Sequence, residues 1–127
     1  METATKSSFI KNSNISVAIP NWNGETVLPE CLASLHRAIK KASLGDAVDI
    51  VIADDQSTDR GLEIIRQDFP ETRIIEMEQR SGFGVVANTA VVNCANDYVL
   101  LLNNDVYVEE DFFCTGPDIL KTPICLP

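Results

Sequence analysis

Asn103, Asn104 and Asp105 follow directly on an apolar run, Tyr98-Val99-Leu100-Leu101-Leu102. Such a run reads as a buried strand, and the two amides and the carboxylate mark the point where it surfaces. A carboxylate placed there meets water or a cation. The same juncture occurs three more times. ISVAI (15–19) runs into PNWNG (20–24), VDIVIA (48–53) into DDQSTD (54–59), and RIIEME (73–78) into QRSGFG (79–84). Together the four polar segments hold Trp22, several amides, glycines, and the carboxylates of Asp54, Asp55, Asp59 and Asp105. The turn preference of Asn, Asp and Gly explains any one of them. Four segments of matching chemistry point to a shared site.

The first, second and fourth runs are nearly continuous in apolar residues, as expected of strands covered on both faces. The third alternates, with Glu76 and Glu78, and suits a sheet edge with one wet side. Between the runs lie helical patterns. Leu28, Cys31, Leu32, Leu35 and Ile39 share one face of a helix over roughly 26–43. Pro29 is tolerated in its first turn, and Lys40 and Lys41 suit its last. Leu62, Ile65 and Phe69 mark a second helix with Ser57, Thr58 or Asp59 as N-cap, and a third spans about 84–95. This alternation predicts an α/β domain, a parallel sheet with flanking helices and right-handed crossovers. Ligands bind such sheets outside the carboxyl ends of the strands. All four polar segments are therefore expected on one edge.

The formal net charge of -9, with ten scattered Lys and Arg residues, is the wrong balance for nucleic-acid binding. An anionic ligand needs a helix N-terminus, a local basic group or a metal ion to offset that field. No apolar run reaches the length of a membrane span. Residues 1–14 are polar and read as a flexible leader and not a signal peptide. Cys31, Cys94, Cys114 and Cys125 are widely spaced without a CxxC and read as buried thiols of a cytoplasmic chain, or of one peripheral to a membrane. His36, beside Arg37 and Lys40, reads as solvated.

Three blocks carry a resemblance to a known family: ISVAIPNWNGETVLPECLASL (15–35), VDIVIADDQSTDRGLEII (48–65) and SGFGVVANTAVVNCANDYVLLLNNDVYVEEDF (81–112). In this order and spacing the chain resembles the nucleotide-binding half of a family 2 glycosyltransferase with the GT-A fold, a Rossmann-like architecture. The resemblance implies a nucleotide-diphosphate sugar donor, UDP- or dTDP-linked, and Mg²⁺ or Mn²⁺ as cofactor. The acceptor it implies is a glycan or lipid-linked saccharide. It places Pro20 and Trp22 against the nucleotide base, with Asp55 hydrogen-bonded to the base and Asp54 beside it. Gly82, Phe83 and Asn88 fall in the family's block near the nucleotide-sugar, with Asn104 close by. Asp105 corresponds to the last acid of the DxD motif, a cation ligand, with Asn103 in place of its first acid.

These roles are chemically sound. An aromatic face stacks on a base for about 1–3 kcal/mol. An aspartate accepts a charge-assisted bond from a pyrimidine N–H, and oxygen ligands suit Mg²⁺ and Mn²⁺. Asn103 keeps an oxygen but loses a charge, so weaker cation affinity is expected; this Asn-Asn-Asp variant resembles enzymes that transfer rhamnose from dTDP. Arg80 stands where the family commonly has Asn and is read as meeting a phosphate or solvent. The segment 114–127 contains Pro117, Pro123 and Pro127, which exclude a sustained helix. After Asp111 only Asp118 offers a carboxylate, in a turn-like Gly-Pro-Asp context. The expectation is therefore a half-domain over 15–113, an irregular tail over 114–127, and no catalytic base.

Three alternatives compete. Gly82-Phe83-Gly84-Val85-Val86-Ala87 fits the G-x-G-x-x-A pattern of dinucleotide-binding domains, although the strand before it is the polar one. A phospho-acceptor module would also pair acids at a strand end, but after its first strand. A degenerate, non-catalytic copy would expose apolar surface and self-associate.

Overall fold

The computed structural model describes residues 14–114. Of the leader (1–14) and tail (114–127), only Asn14 and Cys114 are among the described residues, and Asp118 lies outside them. The chain runs β1 (Ile15–Asn21), α1 (Leu28–Lys41), a 3₁₀ turn (Gly45–Ala47), β2 (Val48–Asp54), α2 (Gly61–Asp68), β3 (Arg73–Glu76), α3 (Phe83–Val92) and β4 (Tyr98–Leu101). All pairings are parallel, in the order β3-β2-β1-β4. The α/β architecture is the one expected from the sequence.

The strand order explains where the helices lie. The first two crossovers move one way across the sheet, and the third moves back over β1 to the other edge. A constant hand of crossover then puts the third helix on the opposite face. The packing follows suit. Leu28, Cys31, Leu32 and Leu35 of α1, with Ile65 of α2, form one core with Val17, Ile19, Ile50 and Ile52. On the other face Val86 and Ala90 of α3 pack on Ala18 and Ala53, whose small side chains let the helix come close. Pro20 is compatible with a central strand for a local reason. Its nitrogen falls on the β4 side, where pairing has already ended at Ala18–Leu101.

Several sequence expectations are corrected. β4 is not covered on both sides: it is the outer strand next to β1, and Tyr98, Val99 and Leu101 are exposed while Leu100 and Leu102 reach the core. The helix over 61–68 is capped at Arg60 and not at Ser57, Thr58 or Asp59. Asp59 still contributes, accepting from the Gly61 N–H at 3.0 Å and the Glu25 N–H at 2.9 Å. His36 is not solvated: its ring stacks on Phe69 with centroids 5.1 Å apart, and Nε2 is buried without a partner among the described residues. Of the cysteines expected to be buried, Cys31 is, Cys94 is half-buried and Cys114 is exposed; Cys125 lies outside the described residues. No helix of the described residues is long and apolar enough to cross a membrane.

Candidate functional site

The strand order reverses between β1 and β4, and in open sheets the crevice at such a reversal, at the carboxyl ends, is where ligands enter. A cavity of about 380 Å³ opens there. Of the residues singled out in the sequence, Pro20, Trp22, Asp55, Gly82, Phe83, Asn103, Asn104 and Asp105 line it. All four polar segments contribute to its walls or to the layer below. Asp54 and Asn88 do not reach the cavity: Asp54 is buried beneath it, and Asn88 is exposed on α3.

Asp55 is held where β2 ends. Its N–H donates to the Asn21 carbonyl at 2.9 Å, extending the β1–β2 ladder by one residue. Its carboxylate accepts from the Ser81 N–H at 2.7 Å, the Gly82 N–H at 3.0 Å and Arg80 Nε at 3.1 Å. Burial pushes this carboxyl up, but the two amides and the guanidinium outweigh it and hold it below the usual carboxylate range. Gly82 adopts φ +91°, a left-handed conformation that glycine tolerates best, and so turns its N–H toward Asp55. One Oδ1 lone pair stays open, because three of about four acceptor positions are filled. Arg80 lies with its guanidinium carbon 4.2 Å from the Trp22 ring centre, a cation–π contact.

Beneath the cavity runs a chain of polar contacts across three strands. Asn104 Nδ2 donates to Asn21 Oδ1 at 2.7 Å, and Asn21 Nδ2 donates to Asp54 Oδ1 at 2.8 Å. Asp54 also accepts from the Ser57 N–H at 2.9 Å and the Ser57 hydroxyl at 2.6 Å. Ser57 Oγ in turn accepts from the Asn23 N–H at 2.7 Å. Such pairing is what most buried polar groups require.

Asp105 is exposed at the cavity wall, and among the described residues no hydrogen bond or ion pair engages its carboxylate. Below the loop, Cys31 is buried 3.9 Å from the Asn103 carbonyl. Burial first, and then the Asp105 charge, push its thiol up to about 11, so it stays protonated at neutral pH. Among the described residues no three His, Cys, Asp or Glu side chains gather as a metal cage. Mg²⁺-like ions do not require one: they use one or two carboxylates and complete their shell with water and phosphate oxygens. A free carboxylate beside the amides of Asn103 and Asn104 fits that requirement.

The sequence reading left out Asn21 and Val86, which also line the cavity, and gave Arg80 no place among the site residues. Asn21 sits inside the polar segment PNWNG, and nothing in the sequence shows that β4 brings an amide against it. Arg80 carried a usable signal, as the one basic residue in the four strand-end segments. The G-x-G-x-x-A run follows β3, an edge strand of the sheet, whereas the dinucleotide fingerprint lies in the first strand-to-helix turn.

Comparison with known proteins identifies the family and the fold. Residues 16–115 match the family described as Glycosyl transferase family 2. The chain is 32% identical over 107 residues to Glycosyltransferase GlyA of Streptococcus pneumoniae, covering 82% of this chain and 14% of that protein. It is 32% identical over 98 residues to a poly(ribitol-phosphate) beta-glucosyltransferase of Bacillus spizizenii, covering 74% and 15%. The chain thus spans about a seventh of the length of these curated relatives. Among solved structures, residues 1–349 of Staphylococcus aureus TarS in complex with UDP-GlcNAc superpose with a TM-score of 0.73 at 25% identity, covering 85% of this chain and 31% of that one. The mannosyltransferase PcManGT of Pyrobaculum calidifontis, in complex with GDP-Man and Mn2+, shares the fold with a TM-score of 0.67 at 21% identity, covering 79% and 30%. The chain has a GT-A fold, and it belongs to glycosyltransferase family 2.

Proposed function

We propose that this chain binds a nucleoside-diphosphate sugar together with Mg²⁺ or Mn²⁺ and forms the donor-binding part of an inverting glycosyltransferase. One observation carries the reading. An exposed aromatic ring, a buried aspartate and an unpaired aspartate line a single cavity at the carboxyl edge of the sheet. Trp22 and Pro20 offer an apolar wall to the base, and the open lone pair of Asp55 accepts a pyrimidine N–H. Gly82 and Phe83 stand on the sugar and phosphate side. Asn88 is exposed one turn further along α3 and comes into play only for a ligand that extends past the cavity.

Asp105, with amide oxygens from Asn103 and Asn104, would hold the cation; once bound, it neutralises charge on the departing nucleoside diphosphate. Arg80 is the one cationic side chain on the cavity wall and lowers the local negative potential toward an anionic ligand. None of the described residues is assigned as general base. Inversion uses a carboxylate from the acceptor side that removes the proton of the attacking hydroxyl. The acceptor is a glycan or lipid-linked saccharide, met at the cytoplasmic side or at the membrane surface. TarS was solved with UDP-GlcNAc, which supports a UDP-linked donor. The Asn103-Asn104-Asp105 sequence supports a dTDP-linked one, so both nucleotides belong in the test.

Trp22 is the one tryptophan of the chain, so its fluorescence reports on the site directly. UDP or dTDP with Mn²⁺ is expected to quench it saturably, and Asp105→Ala to remove the cation-dependent part. Quenching that ignores the cation in the unaltered chain would refute the assignment of Asp105.

A further inference from the structure

The contacts beneath the cavity have a direction. A carboxylate is acceptor-only, whereas an amide has distinct donor and acceptor ends. Asp54 therefore draws the Nδ2 end of Asn21, at 2.8 Å, and leaves Oδ1 of Asn21 facing β4. That oxygen draws Nδ2 of Asn104, at 2.7 Å. The remaining end of Asn104 is its carbonyl oxygen, on a residue that lines the cavity next to Asp105. We propose that Asp54 is a positioning residue for the cation: through Asn21 it fixes the Asn104 amide with its oxygen available beside Asp105. This rests on the reading that the cavity takes a nucleoside diphosphate with a divalent cation.

Two further observations support a built junction. Asp54 and Asn21 are 1% and 3% exposed, so neither amide end can exchange its partner for bulk water. Gly24 closes over the contact: a Cβ there would stand 2.6 Å from Asn104 Nδ2 and closer still to Asn21 Oδ1. No positive φ constrains Gly24, so what the site requires at this position is space. The loop after β1 can seal the Asn21–Asn104 bond only if residue 24 lacks a side chain. The relay also ties the two ends of the cavity together. Ser57, held by Asp54, carries the Asn23 N–H of the loop that presents Trp22, while Asn104 belongs to the loop of Asp105.

The test is calorimetric, with the ratio of UDP affinity in Mn²⁺ to that in EDTA as readout, for the unaltered chain, Asp54→Asn and Gly24→Ala. Asp54→Asn keeps the shape but lets the amide of residue 54 present either end, so the orientation of Asn21 and Asn104 is no longer dictated. Gly24→Ala opens the Asn21–Asn104 contact directly. Removing partners that orient metal ligands lowers metal affinity by about 10–100-fold, and the ratio is expected to fall by that order. Uridine, which lacks the phosphates, is expected to lose clearly less affinity in each variant than UDP loses in Mn²⁺. An unchanged ratio in both variants overturns the proposal, and so does a loss of uridine affinity equal to the loss of UDP affinity. If Gly24→Ala does not fold, the isosteric Asp54→Asn alone decides by the same two outcomes. A parent chain whose UDP affinity ignores Mn²⁺ would overturn the functional reading itself, a result distinguishable because it requires no variant.

Discussion

The guanidinium of Arg80 lies over the Trp22 ring at 4.2 Å, and the same side chain donates Nε to Asp55 at 3.1 Å. One cation thus touches two of the residues assigned to the base, Trp22 and Asp55. It screens a buried carboxylate from an incoming anion and covers one part of the Trp22 ring, a residue that remains 48% exposed.

Replacing Arg80 by Ala is expected to shift the Trp22 emission of the free protein and to weaken UDP binding about tenfold, or roughly 1.4 kcal/mol. The loss should shrink at about 1 M salt, where the Debye length is only about 3 Å. Fluorescence titration at two ionic strengths checks both points. Equal affinity for parent and variant would remove Arg80 from the site.

Acid stability has a definite sign. Asp49 titrates low in the folded chain because of its hydrogen bonds from Arg73 above all, and Asp55 because the Ser81 and Gly82 amides and Arg80 overcome its burial. Both folded values lie below the unfolded one. Their contribution is complete above about pH 4 and is lost as pH falls further. Asp55→Ala strands two backbone N–H groups and is expected to cost about 1–3 kcal/mol at pH 7. Urea denaturation at pH 3 and pH 7 should show that difference mostly at the higher pH.

His36 works in a different window. Burial lowers its pKa from 6.5, against an opposing pull from Glu71. The unfolded chain then binds the proton more readily, so stability is whole above about pH 7 and declines as pH drops through 6.5. His36→Phe keeps the stacking surface toward Phe69 and removes a buried nitrogen that has no partner among the described residues. It is expected to raise the melting temperature and flatten its slope between pH 5 and 7. A slope unchanged from the parent would show that another group is responsible.

The outer strand β4 presents Val99 and Leu101, and Val92 nearby is 76% exposed. Exposed apolar residues on an unpaired strand edge favour association. The chain is expected to self-associate with rising concentration, and Leu101→Lys to lower that tendency. Sedimentation velocity over a hundredfold concentration range would reveal it; a parent that stays monomeric throughout contradicts the expectation.

The parallel sheet was legible because buried strands leave nearly continuous apolar runs, and VDIVIA and ISVAI face helices on both sides. The same rule failed for YVLLL, since composition records what a strand can bury and not what stands next to it. The site was legible wherever a residue lies at a strand's carboxyl end, as with Asp55 and Asp105. It was illegible where the role depends on register across strands. Asn21 meets Asn104 only because β4 joins β1 from the far edge, 83 residues away in sequence. Asp54 and Asp55 look equivalent in sequence, yet alternation sends one below the cavity and the other into its wall.

The central claim is that the four strand-end segments form one cation-assisted nucleotide site. Calorimetric titration of the chain with UDP, in Mn²⁺ and then in EDTA, tests it most directly. Saturable one-to-one binding that is at least tenfold tighter with Mn²⁺ is the predicted result. A chain that is folded by circular dichroism yet binds UDP in neither condition, or equally in both, would contradict it.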